Sequence, residues 1–166
     1  MKTKLSKNES GLTFIELMTV VAVIGIMSAM AVPSFLGYMP KLRVKAAARD
    51  VVSQLRLARS KAVSERRAYG VAFNLADNSI FTFADTDDPA SQTYSTSDSV
   101  VSADTLNADV DLNSCTYANN CVVFNSTGAA STSGDLQVVT GDGSILMCIN
   151  VLASTGRVRL TELGTS

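Results

Sequence analysis

Residues 12 to 32 read LTFIELMTVVAVIGIMSAMAV, 21 positions that hold a single charge, Glu16. At ~1.5 Å rise per residue, a helix of this length is about 30 Å long, which matches the hydrocarbon core of a bilayer. Lys2, Lys4 and Lys7 precede it, so the positive-inside rule leaves the short amino-terminal tail in the cytoplasm and sends everything after Val32 outside. A secretory leader fits the same stretch, with a small-x-small site at Ala29-Met30-Ala31, and so does a plain membrane anchor. Glu16 weighs against a disposable leader. An acidic residue near the centre of an inserting helix is penalised by roughly 2.5 to 3.5 kcal/mol, less towards its end. Thr13 and Glu16 also fit the T-x-x-E capping box, in which a negative charge suits the first helical turn.

Charge is strongly segregated on either side of this stretch. Residues 1 to 11 sum to +2, residues 41 to 67 hold nine basic side chains against Asp50 and Glu65, and residues 68 to 156 hold ten aspartates with no lysine or arginine. Arg157, Arg159 and Glu162 close the chain. A basic rod joined to an acidic head is the expected picture, with attraction between neighbouring copies over about a Debye length, ~8 Å in physiological salt; a solvated helix face and an acidic, soluble surface explain the same pattern. The chain of 166 residues is 46% apolar and 17% charged, without histidine or tryptophan. The missing imidazole removes Ser-His-Asp and Cys-His nucleophile pairs and histidine zinc sites, so no enzyme and no cofactor are expected.

From Pro40 to about Arg67, apolar positions recur at three-to-four spacing, with Leu42, Ala46, Val52, Leu55 and Ala62 beside Val51, Ala58 and Val63. That periodicity predicts an amphipathic helix whose apolar stripe packs on a head. Pro33 and Pro40, with Gly25 before them, predict kinks or melted turns. Beyond Ala68, short alternating runs predict hairpins over 69–75 with 79–84 and over 136–140 with 145–152, then a last strand over 157–163. Residues 85 to 120, rich in Asp, Ser, Thr and Asn, predict a long mobile surface insertion.

The run Gly11-Leu12-Thr13-Phe14-Ile15-Glu16, behind a short basic leader, resembles the processing site of type IV prepilins and pseudopilins. The resemblance implies cleavage after Gly11 by a membrane prepilin peptidase and N-methylation of Leu12. It also implies that Glu16 pairs with the amine of a neighbouring subunit during assembly, a contact strengthened where water is scarce. Loss of helical bonds between Gly25 and Pro33 inside a filament is a further implication. Phe124-Asn125-Ser126-Thr127-Gly128 and Ser154-Thr155-Gly156-Arg157-Val158-Arg159 narrow the resemblance to the FimT/GspH branch of minor pilins and H-type minor pseudopilins.

The resemblance implies an α+β, pilin-like fold. Its parts would be a leader (1–11), an apolar transmembrane and filament-core helix (12–40), an amphipathic basic helix (41–67) and an antiparallel β-rich head (68–166) with a variable loop at 85–120. It implies a structural subunit of a type IV pilus or type II secretion filament. Such a subunit sits first in the bacterial inner membrane with its head in the periplasm. Other pilin or pseudopilin subunits and the inner-membrane assembly platform are its partners.

Three smaller sites are open. Some FimT-like pilins use a motif of the form Gly156-Arg157-Val158-Arg159 to bind DNA. Arg157 and Arg159 would share one strand face ~6.6 Å apart, although two phosphate contacts predict a salt slope of only about −2 and ten aspartates oppose a polyanion. A turn glycine with two solvent-facing arginines is the plainer reading. Cys115 and Cys121 enclose a short Asn-rich loop and are the expected disulfide of an oxidising compartment, with Cys148 a buried free thiol and Cys121–Cys148 the rival pairing. Asp85, Asp87 and Asp88, and separately Asp109 and Asp111, have hard oxygen ligands at spacings that can hold calcium, or are solvated loop residues.

Overall fold

The computed structural model describes residues 12–86 and 93–163. One long helix, α1 (Phe14–Glu65), precedes strands β1 (Tyr69–Asn74), β2 (Ser79–Ala84), β3 (Ser99–Thr105) and β4 (Val110–Cys115). A short 3₁₀ turn (Ala118–Asn120) then leads to β5 (Cys121–Phe124), β6 (Gly134–Thr140), β7 (Leu146–Leu152) and β8 (Arg157–Leu163). The chain divides into two units at Tyr38 and Met39.

The first unit carries the apolar part of α1, and Phe14–Ala31 has none of its residues buried. The helix assignment runs unbroken through positions 33 and 40, so the melted turns expected there are absent. Each proline removes one N–H donor without ending the helix assignment.

In the second unit, α1 buries Val44, Ala48, Val51, Leu55, Ala58 and Ala62 completely. Their steps of four and three residues keep one side of a 3.6-residue helix against the core. The three-to-four period holds, but the phase differs near both ends of the stretch: Leu42, Ala46 and Val63 are exposed. Arg66, with φ 53°, turns the chain out of the helix.

Two antiparallel four-stranded sheets, in the orders β3-β2-β1-β5 and β4-β6-β7-β8, share one core with this stripe. Val71, Phe73, Ile80, Val122 and Phe124 enter from the first sheet, and Val110, Leu112, Leu136, Val138, Met147, Ile149 and Val151 from the second. Tyr117 joins them. Its ring stacks on Phe73 at 5.9 Å and its hydroxyl donates to the Ile149 carbonyl at 3.1 Å, and burial pushes its phenol pKa up.

Both hairpins and the last strand form where the alternation predicts them. The segment 85–120, expected as a long surface loop, instead contains β3 and β4, one at the edge of each sheet. β3 is exposed on both faces almost throughout, so its sequence has no buried side to write an alternating pattern. Tyr94, just before β3, packs on Phe83 at 5.2 Å and Phe81 at 6.1 Å, on the face of the first sheet away from the main core. There Ala72, Phe83, Cys121 and Val123 form a second, smaller cluster. Asp98 pins the segment by accepting from Ser95 N–H at 2.8 Å and Thr86 N–H at 3.1 Å.

Candidate functional site

At the amino-terminal end, Thr13 Oγ1 accepts from the Glu16 N–H at 3.3 Å, which is half of a capping box. The Thr13 carbonyl accepts from Glu16 and Leu17 N–H at 3.1 and 3.2 Å. Leu12 and Glu16 are exposed; Gly11 and the other residues of 1–11 lie outside the described residues. Fully burying one Leu, Ile, Val, Phe or Met side chain is worth about 1.5 to 3 kcal/mol. Phe14, Ile15, Leu17, Met18, Val20, Val21, Val23, Ile24, Ile26, Met27 and Met30 all forgo that gain within this chain. A segment of this composition is suited to lipid or to the apolar helices of other chains, with Glu16 as its one acid.

At the other end of the sequence, β7 and β8 are joined by a turn in which the Gly156 N–H donates to the Leu152 carbonyl at 2.8 Å. Gly156 has φ +60°, and a Cβ there would sit 2.1 Å from the Gly128 carbonyl oxygen. Gly128, at φ +82°, closes its own turn by donating to Asn125 O at 2.8 Å. Its carbonyl accepts from Arg59 Nε of α1 at 3.0 Å. The two motif runs noted in the sequence therefore meet as a pair of glycine turns clamped to the helix by Arg59. Sequence spacing gave no sign of that contact, since Arg59 and Gly128 are 69 positions apart.

Arg157 and Arg159 follow Gly156 on β8, both exposed. They lie opposite Leu152 and Asn150 of β7 and share a face of the second sheet. The other face of β8 is tied inward: Val158 packs against the core, and Glu162 meets Lys41 of α1 at 2.5 Å. The Lys41 bond holds the Glu162 carboxyl below its ordinary range.

The cysteines differ from expectation. Cys115, Cys121 and Cys148 are all free thiols, so the expected Cys115–Cys121 bond is not formed. The physical reason is that the two belong to different layers: Cys115 packs against the main core, whereas Cys121 sits in the small cluster on the far side of the first sheet. Cys148 is half-buried and donates to Asp135 Oδ1 at 3.5 Å, so it is less buried than expected. Burial pushes the Cys121 thiol up to about 12, and burial with the nearby Asp135 pushes Cys148 up to about 11.

Of the acidic residues, Asp87 and Asp88 lie outside the described residues, and Asp85 is buried at the end of β2. Asp109 forms an ion pair with Arg43, and Asp111 accepts from Asn78 Nδ2 at 2.8 Å, so each carboxylate takes part in a structural contact. Asp142 is held down to about 2 by the Thr140 hydroxyl and by the Ser144 backbone and hydroxyl within its own turn. Among the described residues, no group of three acidic or cysteine side chains is placed to hold a metal ion.

Comparison with known proteins gives consistent matches. Residues 47–156 match the family model described as type II transport protein GspH, and residues 6–32 match the prokaryotic N-terminal methylation motif. The fold is similar to that of the minor pseudopilin EpsH from the type 2 secretion system of Vibrio cholerae. That match has TM-score 0.60 and 16% identity and covers 74% of this chain and 99% of that one. It is also similar to the type IV minor pilin FimU of Pseudomonas aeruginosa, with TM-score 0.58 and 17% identity over 75% of this chain and 92% of that one. No curated protein sequence matches.

Proposed function

This chain belongs to the GspH family of type II transport proteins, and on that premise we propose that it is a minor filament subunit, made as a precursor and trimmed after Gly11. The chain carries the N-terminal methylation motif, which supports processing by a prepilin peptidase and methylation of Leu12. The observation that carries the reading is Phe14–Ala31, a helical segment long and apolar enough to cross a membrane and wholly exposed. The helix first anchors the chain in the inner membrane with the head in the periplasm. It then passes, through the assembly platform, into a bundle of like helices from other pilin or pseudopilin subunits.

Glu16 gives the assembly its register. Trimming creates a positively charged amine at Leu12, and a carboxylate in an apolar bundle is tolerated where such a cation on an adjoining chain neutralises it. Glu16→Gln keeps size and polarity and removes the charge. The variant is expected to be trimmed normally, seen as the same mobility shift in cells. Its amount in sheared filaments should fall by at least about tenfold, since leaving one partner of a buried ion pair unpaired costs about 3–5 kcal/mol. Undiminished incorporation of Glu16→Gln would contradict the pairing.

The alternative is a DNA-binding minor pilin using Arg157 and Arg159, and the shared exposed face of these two side chains supports it. Its signature is a DNA mobility shift at low salt that is lost in the double alanine variant, with a salt slope near about −2.

A further inference from the structure

A sheet edge offers unpaired N–H and C=O groups to any extended chain unless something blocks it. Three of the four edges here are blocked. The outer side of β4 is occupied by Asn78, whose Oδ1 accepts from Leu112 N–H at 2.8 Å, and the strand is bulged between Leu112 and Ser114. β5 has only four residues and bonds on its free side to Ser131, whose N–H donates to Val123 O at 2.7 Å. β3 pairs Ser102 with Thr82 and Val100 with Phe83, so Val101 bulges out of register. β8 differs from all of these. It pairs with β7 in unbroken register from Arg157 to Leu163, and among the described residues no group bonds to its outer backbone.

What guards β8 is charge. Arg157 and Arg159 are the only cations after residue 67, and they make no ion pair among the described residues. Two guanidiniums in alternate positions repel a basic strand and disfavour a neutral one, while a strand with carboxylates at the same two-residue spacing neutralises both. We propose that β8 is the docking edge for an extended acidic strand on the head of a neighbouring filament subunit, added antiparallel to the second sheet. This rests on the reading of the chain as a filament subunit. A nucleic-acid duplex suits the surface less well. Asp135 lies in the same cross-strand row as Asn150 and Arg159, and its carboxylate is fixed by Asn150 Nδ2 at 2.8 Å. It stands about two strand spacings, ~9.6 Å, from β8. A polyanion broad enough to cover the sheet meets that carboxylate, and a strand added at the edge does not.

The test uses the full chain in cells that assemble the filament, with a photoreactive side chain in place of Thr161 on β8 or, as control, of Ala103 on β3. The expected result is an adduct from Thr161 to another subunit's head, at a segment with acidic residues in alternate positions, and none from Ala103. Arg157→Asp with Arg159→Asp should reduce that adduct by about tenfold or more, because like charges then face each other across the edge. Arg157→Lys with Arg159→Lys should retain most of it, which separates charge from misfolding. If the chain is in sheared filaments but Thr161 gives no adduct, or if the adduct survives charge reversal, the docking edge is overturned and the filament reading stands. An adduct to nucleic acid or to a second copy of this chain overturns the proposed partner. Absence of the unsubstituted chain from sheared filaments overturns both readings.

Discussion

Gly156 shows how a single missing Cβ holds the head together. Its left-handed backbone and its contact with the Gly128 carbonyl, itself bonded to Arg59, leave no room for a side chain. Gly143 has a similar φ of +73° with nothing within 4 Å of a Cβ, so it isolates backbone strain from crowding. Gly143→Ala should cost about 1–2 kcal/mol, and Gly156→Ala about 2–5 kcal/mol, because overpacking adds to the strain. Thermal unfolding of the two variants compares them directly, and equal losses would mean that the close approach is unimportant. The thiols make a second prediction. Cys121 and Cys148 have folded pKa values raised to about 12 and about 11, against about 8.5 in an unfolded chain. The folded state keeps its protons where the unfolded state has lost them. The stability tied to these groups is therefore full below about pH 8.5 and is lost as pH rises through the folded values. The melting temperature should fall from pH 8.5 upward, and Cys121 should resist alkylation at pH 8 until the chain unfolds.

The helix stripe and the strands record what a sequence writes down and what it leaves out. Leu55 is fully buried in the core and Leu42 is exposed, although both looked like stripe residues. Leu55→Ala should cost about 2–5 kcal/mol and Leu42→Ala within about 0.5 kcal/mol, read by denaturant unfolding. A reversed order would refute the observed phase. Leu146–Leu152, with one face in the core, alternates visibly and was legible, whereas β4 was missed because only Val110 and Leu112 mark its core face before the bulge. β3 has no buried face, and β5 is buried on both and only four residues long, so neither had a pattern to read. The glycine turns were legible as motifs, but the contact between them and Arg59 was not, because local spacing carries no information about which distant turns touch.

For the molecule as a whole, the amino-terminal motif was the most legible feature, since a lone acid in an apolar helix is improbable without a reason. The basic charge of α1 proved partly structural: Lys41 and Arg43 are tied to Glu162 and Asp109, and Arg59 to a carbonyl. Arg157 and Arg159 remain outward-facing on an open edge, the edge proposed above to dock a neighbouring subunit. On the proposed reading, assembly depends on the amine that trimming creates at Leu12 and on its pairing with Glu16 of an adjoining chain. Intact-mass measurement of the protein extracted from cells tests that dependence most directly. The expected result is a chain of 155 residues beginning at Leu12, which is the 166-residue sequence without its first 11 positions, carrying one added methyl group. A mature chain beginning at Val32, stripped of the apolar helix, would contradict it.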